Sequence, residues 1–232
     1  MSRPGGAGMG VGPIGAESGA GDLATAFARA FPPLTPADQQ LALTLYRLLA
    51  RGRAVAHAPL GAAAGRAAAE VARTLAAWPG LMRDESGAVV GFLGLSVGET
   101  AHRFEVGGVA LYTWCAWDAL FLPQLLNASA RVASACPATG VPVHLIVAPH
   151  GVVSVHPPEA VVSFLLPDEA DLRRHTTASF CHFVHFFASP EAAHGWIARR
   201  PGTWLLTMDE AFALGRAVNE ARYPDALAPV DS

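Results

Sequence analysis

Residues 36–95 read PADQQLALTLYRLLARGRAVAHAPLGAAAGRAAAEVARTLAAWPGLMRDESGAVVGFLGL, and this stretch decides the fold of the amino-terminal half. Apolar residues recur at helical spacing three times and then give way to two short β-type runs around the turn sequence DESG. The predicted elements are helices at Pro36–Ala50, Pro59–Ala64 and Arg66–Trp78, and strands at Leu81–Arg83 and Ala88–Leu95. Three helices followed by a hairpin are the order of elements in a winged helix.

Beyond residue 97 the sequence changes to short alternating or apolar runs typical of an antiparallel sheet. The predicted strands are Phe104–Trp114, Val141–Ala148, Val152–His156, Val161–Leu166, His182–Phe187 and Thr203–Leu206. Two late helices are marked by caps, one at Ser189–Pro190 and one with Thr207 and Glu210 spaced as a capping box. The sequence thus predicts an α+β chain, with a flexible Gly-rich tail (residues 1–20), a winged-helix-like domain (21–97) and a mixed α/β domain with an antiparallel sheet (98–232).

Composition excludes several classes of protein. The chain is 52% hydrophobic and 15% charged, which supports a buried core and excludes wholesale disorder. All 16 basic residues are arginine, so a lysine Schiff base and a P-loop lysine are excluded. Three scattered cysteines do not form a disulfide framework, which favours a reducing, cytoplasmic setting.

Neither a membrane nor a nucleic acid is a predicted partner. The apolar stretch from Val109 to Leu126 contains Asp118, whose charge is costly in a bilayer, so we interpret it as buried core carrying a functional group. Residues 21–97 hold seven arginines against five acidic residues. The third predicted helix, in the place of a recognition helix, carries only Arg66 and Arg73, which offers few phosphate contacts.

The first candidate site is the segment TWCAWD, residues 113–118. It places the Cys115 thiol and the Asp118 carboxylate three residues apart, which brings both to one face if the helix begins at Cys115. A helix start lowers the pKa of a thiol, whereas a neighbouring carboxylate raises it. The pattern fits a pair that exchanges a proton, and it also fits a buried cysteine beside a capping aspartate.

The other two cysteines are less distinctive by themselves. Cys181 begins the apolar run CHFVHFF, where His182 and His185 suggest a zinc site by residue type, although a strand would direct Cys181 and His182 to opposite faces. A nucleophilic Cys–His pair is a further alternative. Cys136 precedes Pro137 in a turn, and we interpret it as structural.

Two longer segments resemble the organomercurial (alkylmercury) lyases. LYTWCAWDALFLP, residues 111–123, is similar to the first active-site segment of that family, and SFCHFVHFFAS, residues 179–189, to the second. The segment 131–143 and the winged-helix-like region resemble the family as well, so that the similarity covers roughly residues 30–220.

The resemblance implies an enzyme that cleaves carbon–mercury bonds by protonolysis, giving a hydrocarbon and Hg(II). It implies that Cys115, Asp118 and Cys181 are catalytic and hold mercury, and that Cys136 is structural. His182 stands where some members have a second cysteine, which is not one of the catalytic three. Soft mercury prefers thiolates, and Asp118 suits a general acid.

The expected surroundings and partners follow from the same chemistry. Trp114, Trp117 and Phe180 are candidates for an apolar substrate pocket that raises the pKa of the carboxyl group. No organic cofactor is expected, exogenous thiols are expected to be needed for turnover, and the family resemblance implies a mercuric reductase as the recipient of Hg(II). The alternatives are a metal-responsive winged-helix regulator that binds Hg(II) through its cysteines and a non-catalytic metal-binding module.

Overall fold

The computed structural model describes residues 31–165 and 180–228, together with Ala24, Thr25, Phe27 and Arg29. Its amino-terminal elements are α1 (Pro36–Leu49), α2 (His57–Ala64), α3 (Ala68–Ala76), β1 (Leu81–Arg83) and β2 (Val89–Phe92). Thr35 caps α1 by accepting the Asp38 N–H, and Pro36 occupies the first helical turn. Strands β1 and β2 pair antiparallel. The predicted winged-helix order is therefore confirmed.

An eight-stranded antiparallel sheet continues from this hairpin into the second half of the chain. Its further strands are β3 (Leu95–Ser96), β4 (His102–Val106), β5 (Val109–Thr113), β6 (Ala130–Ala135), β7 (Pro142–Ala148) and β8 (Gly151–His156). The strand order is β1-β2-β3-β5-β4-β6-β7-β8, so the wing and the later strands share one sheet. The domain boundary near residue 97 stays a prediction.

Helix α4 (Asp118–Leu126) follows β5, and a second sheet of three antiparallel strands completes the fold. Further elements of the described residues are β9 (Val161–Leu165), a 3₁₀ helix (Cys181–Phe183), β10 (Phe186–Phe187), α5 (Pro190–Ile197), β11 (Thr203–Thr207) and α6 (Met208–Arg222). The predicted capping box begins α6, since Thr207 and Glu210 bond each other's backbone N–H groups. Among the described residues no helix has the length and apolar character needed to span a bilayer.

Two predicted strands are each divided in the structure, and one strand was not predicted. The strand predicted over Phe104–Trp114 is two strands, because Gly107 and Gly108 adopt positive φ and reverse the chain between β4 and β5. The apolar run predicted as strand Ala88–Leu95 turns at Leu93–Gly94, giving β2 and β3. Strand β6 was not predicted, because its sequence ARVASA carries few large side chains.

Candidate active site

Cys115 lies in the short connection between β5 and α4, and Asp118 is the first residue of α4. The carboxylate oxygen Oδ2 of Asp118 accepts the backbone N–H of Cys115 at 2.7 Å, and the Thr113 hydroxyl donates to the Cys115 carbonyl at 2.8 Å. Helix α4 begins only at Asp118, so the condition under which both side chains would share one helix face, a helix starting at Cys115, is not met. The thiol and the carboxylate meet through this turn instead of along a helix face.

Cys181 is positioned by a 3₁₀ turn and not by the predicted strand His182–Phe187. Ser163 on β9 donates its hydroxyl to the Phe183 carbonyl at 2.8 Å and accepts the His185 N–H at 3.0 Å. The Ser163 N–H also donates to the His185 carbonyl at 3.0 Å, so that these bonds hold the segment against β9, and regular strand pairing begins at β10. The Ala116 N–H donates to the Val184 carbonyl at 3.2 Å and thereby ties the two cysteine segments together.

The structure brings Cys115, Asp118 and Cys181 into one buried cluster. Their sulfur and carboxylate atoms all lie within 4.8 Å of one another, and the three residues are 0%, 6% and 4% exposed. Within residues 31–165 and 180–228 this is the one group of three or more metal-ligating side chains. His182 and His185 do not join it, so the described residues do not form the zinc site considered from the sequence. Cys136 is buried elsewhere, in a turn closed by the Gly140 N–H.

Burial controls the protonation of the cluster. Desolvation raises the pKa of Asp118 to about 7, against the opposing effect of the N–H groups of Cys115 and Trp114. Desolvation also raises the pKa of the Cys115 thiol, and its neighbours Cys181 and Asp118 raise it further. Near neutral pH Asp118 therefore exists in both protonation states, while Cys115 needs a proton acceptor or a metal ion to become a thiolate.

An apolar cavity of about 70 Å³ opens onto the cluster. All three predicted pocket residues, Trp114, Trp117 and Phe180, line it. The Trp117 indole N–H donates to the Ala211 carbonyl at 2.8 Å, which fixes its ring against α6. Additional lining residues that the sequence did not indicate are Phe27, Phe31, Tyr46, Gly94, Arg222 and Tyr223. Most of these are far from the motifs in sequence, so only the tertiary fold identifies them.

Gly94 is the missed residue with the closest contact to the cluster. It has φ of +102°, and a Cβ at this position would lie 2.6 Å from both Cγ and Oδ1 of Asp118. Its carbonyl accepts the Trp114 N–H at 2.9 Å. The signal in the sequence was a glycine inside the single β-type run Ala88–Leu95, because a glycine within a strand often marks a close approach of backbone to another group. Gly94 therefore leaves the space that the Asp118 carboxyl group occupies.

Gly94→Ala is expected to displace the Asp118 carboxyl group and to lower catalytic turnover by about 100-fold, since misplacement by about 1 Å has that effect. Gly87→Ala is the matched control, because Gly87 has φ of +82° but open space around its Cβ position. Both variants place an alanine at a positive φ, which strains the backbone, but only the Cβ of Gly94→Ala contacts the Asp118 carboxyl group. Equal turnover by the two folded variants would contradict this role of Gly94.

The raised pKa of Asp118 predicts a pH-dependent stability. An aspartate in the unfolded chain titrates near pH 4, whereas burial raises the pKa in the folded protein to about 7. Between these values the folded state holds a proton that the unfolded state releases, so the free energy of unfolding falls as pH rises, by up to about 1.4 kcal/mol per pH unit. This contribution is full below about pH 4 and lost as pH passes 7.

Urea unfolding of the wild type and of Asp118→Asn at pH 5 and pH 7.5 measures this effect, because the difference between the proteins isolates Asp118. The wild type should lose stability relative to the asparagine variant at the higher pH. A difference that is the same at both pH values would show that Asp118 is not protonated in the folded protein at pH 5.

Comparison with known proteins identifies the family. A family model described as alkylmercury lyase matches residues 95–220, and one described as the helix-turn-helix domain of alkylmercury lyase matches residues 22–93. An alkylmercury lyase of Pseudomonas putida is 47% identical over 179 residues, which are 77% of this chain and 82% of the relative. The chain belongs to the alkylmercury lyase family. That family cleaves carbon–mercury bonds.

Other alkylmercury lyases and a solved structure agree with this assignment. An alkylmercury lyase of Staphylococcus epidermidis is 43% identical over 78% of this chain and 82% of its own length. One from Streptomyces lividans is 44% identical over 76% of this chain and 80% of its own length. The crystal structure of the mercury-bound form of MerB2 superposes with a TM-score of 0.68 at 22% identity, covering 87% of this chain and 98% of that chain. This structural similarity to MerB2 supports the assignment of the fold.

Proposed function

We propose that this alkylmercury lyase cleaves the carbon–mercury bond by protonolysis, with Cys115 and Cys181 as mercury ligands and Asp118 as the proton carrier. The observation that carries the proposal is the approach of two thiols and one carboxyl group within 4.8 Å in a buried, apolar site. Mercury is a soft metal that prefers thiolates to oxygen or nitrogen ligands. A carboxyl group whose pKa burial raises to about 7 can both accept and release a proton near neutral pH.

Cleavage begins when one thiol of the protein transfers its proton as its sulfur binds the mercury of the substrate. Asp118 accepts a proton, which offsets the high pKa that burial gives the Cys115 thiol. The second cysteine then binds the same metal ion, and the thiolate that accompanied the organomercurial leaves with one proton. Two sulfur ligands donate electron density to mercury, so that its bond to carbon weakens and the carbon becomes basic.

Asp118 then delivers its proton to that carbon, and the electron pair of the carbon–mercury bond forms the new carbon–hydrogen bond. For a substrate R–Hg–SR′ the products are RH, R′SH and Hg(II) held by Cys115 and Cys181. The two thiol protons of the enzyme account for the hydrogens of RH and R′SH, and no change of oxidation state is needed. The apolar wall of Trp114, Trp117 and Phe180 accommodates R and raises the pKa of the carboxyl group, so that Asp118 can hold the proton until it passes to carbon.

Turnover requires that Hg(II) leave two protein thiolates, so we propose that exogenous thiols extract the product. A mercuric reductase is the proposed recipient of the ion. We place the reaction in the cytoplasm, where the three free cysteines, all buried, stay reduced. The amino-terminal helices are proposed to act without nucleic acid, because Arg66 is committed to Asp38 at 2.8 Å and to Glu70 at 2.8 Å.

Methylmercury tests the proposal when methane and protein-bound Hg(II) are measured together. Without added thiol we expect about one methane per protein chain, and with excess thiol we expect repeated turnover. Retention of methylmercury without release of methane would instead support the metal-binding alternative. Tight, mercury-dependent binding to a specific DNA in a gel-shift assay would support the regulator.

A further inference from the structure

The cavity beside the cluster contains two hydrogen-bond donors that no described residue satisfies. Among the described residues three buried side-chain nitrogen atoms have no partner, and two of them, Trp114 Nε1 and Arg222 Nη1, belong to residues that line this cavity. Buried donors without acceptors are rare in proteins because they lose their bonds to water. Two of them at one cavity indicate a ligand that accepts hydrogen bonds.

Arg222 is held in place without an acidic partner among the described residues. It lies in the last turn of α6, its guanidinium carbon is 4.5 Å from the centre of the Phe31 ring, and its Nε donates to the Tyr223 hydroxyl at 3.2 Å. The ion pairs of the described residues do not include it. The side chain is partly exposed while Nη1 is buried. One nitrogen of the guanidinium group is therefore withdrawn from water at a residue that lines the cavity.

The organomercury cation does not account for these donors, because R–Hg⁺ carries no hydrogen-bond acceptor and repels a guanidinium. The thiolate that accompanies mercury has no acceptor of its own beyond a sulfur bound to the metal. A carboxylate attached to that thiol supplies both a negative charge and two acceptor oxygens. Guanidinium groups bind carboxylates strongly and with defined geometry.

We infer that Arg222, with the Trp114 indole N–H, forms a carboxylate subsite that binds organomercurials as their adducts with carboxylate-bearing thiols. This inference rests on the proposed function, since it names the form in which the substrate reaches Cys115 and Cys181. The contact is made through the thiol that departs when the protein sulfurs bind mercury. It therefore favours binding of the substrate, and the transfer of the proton from Asp118 to carbon does not depend on it.

The test compares two methylmercury adducts of similar size, one with mercaptoacetate and one with 2-mercaptoethanol, each in excess of its own thiol. The wild type should show a KM for the mercaptoacetate adduct lower by roughly tenfold or more, the usual effect of a hydrogen bond to a charged group. Arg222→Met should abolish that preference, and Arg222→Lys should keep part of it because the charge remains. The change should appear in KM and not in kcat.

Arg216→Met is the matched control, because Arg216 lies on the same helix but is exposed and paired with Glu220 at 2.7 Å. This variant should keep the lower KM for the mercaptoacetate adduct. That result would show that the preference depends on Arg222 and not on the net charge of the protein. Equal KM values for the two adducts in the wild type, or a preference that survives in Arg222→Met, would overturn the inference.

Quenching of tryptophan fluorescence compares the binding of the two adducts independently of any measurement of turnover, since Trp114 lines the cavity. A wild type that binds the mercaptoacetate adduct more tightly but releases methane from neither adduct would retain the subsite and reject the proposed function. Methane from both adducts, with equal binding of the two, would retain the proposed function and reject the subsite.

Discussion

Replacing Cys115 or Cys181 by serine is expected to reduce hydrocarbon release to the uncatalysed background. A hydroxyl group is a poor ligand for a soft metal, and each change leaves mercury with one protein sulfur instead of two. Both positions are buried, at 0% and 4% exposure, and their sulfur atoms lie within 4.8 Å of each other and of the Asp118 carboxyl group. Serine is smaller than cysteine but similar in shape, so the site should stay folded. Gas chromatography of the hydrocarbon measures the loss.

Cys136→Ser is the matched control for both variants. Cys136 is also buried, at 1% exposure, but it lies outside the cluster and closes a turn in which the Gly140 N–H donates to its carbonyl at 2.8 Å. That variant should keep most of its activity even if it loses stability. Substantial turnover by Cys115→Ser or Cys181→Ser would remove that cysteine from the mechanism, and loss of turnover by folded Cys136→Ser would show that Cys136 is more than structural.

Asp118→Asn is expected to separate binding of mercury from cleavage. The amide is nearly isosteric, and both thiols remain, but it neither accepts a thiol proton nor donates an acidic proton to carbon. General acid–base groups contribute about 10²–10⁴-fold to rates, so hydrocarbon release should fall by that factor. Hg(II) should still be retained after desalting, because the two sulfur ligands are unchanged.

The hydrogen bonds of the site indicate that Asp118→Asn changes the acid–base group without changing the local fold. Asp118 Oδ2 accepts the Cys115 N–H at 2.7 Å, and the amide oxygen of asparagine can accept the same bond. The turn that presents Cys115 should therefore persist. Hydrocarbon release near the wild-type rate would show that solvent or a free thiol supplies the proton and that Asp118 is structural.

Local signals in the sequence predicted much of the fold. The leucine spacing of α1, the cap at Ser189 and the capping box at Thr207 each depend on neighbouring residues, and the structure confirms them. Strand β6 and the 3₁₀ turn at Cys181 depend on contacts distant in sequence. Ser163, which holds that turn, has no feature in the sequence that reveals its partners.

In the candidate site, too, the sequence indicated local features but not the contacts between residues distant in the chain. The spacing of Cys115 and Asp118 indicated a pair, but the helix that was considered from Cys115 begins only at Asp118, whose carboxylate accepts the Cys115 N–H. The resemblance to a family, and not the spacing, linked Cys181 to that pair. The space that Gly94 leaves for Asp118 and the position of Arg222 in the cavity wall arise only when α6 and the β2–β3 turn pack around the cluster.

Methane formed from methylmercury in D₂O tests the central claim most directly, because the claim is that a proton from the protein's acid–base group replaces mercury on carbon. With the wild type and excess thiol, the account predicts methane carrying one deuterium, formed in equal amount to Hg(II). Asp118→Asn should form it about 10²–10⁴-fold more slowly. Release of Hg(II) without methane, or methane without deuterium, would contradict protonolysis at Cys115, Asp118 and Cys181.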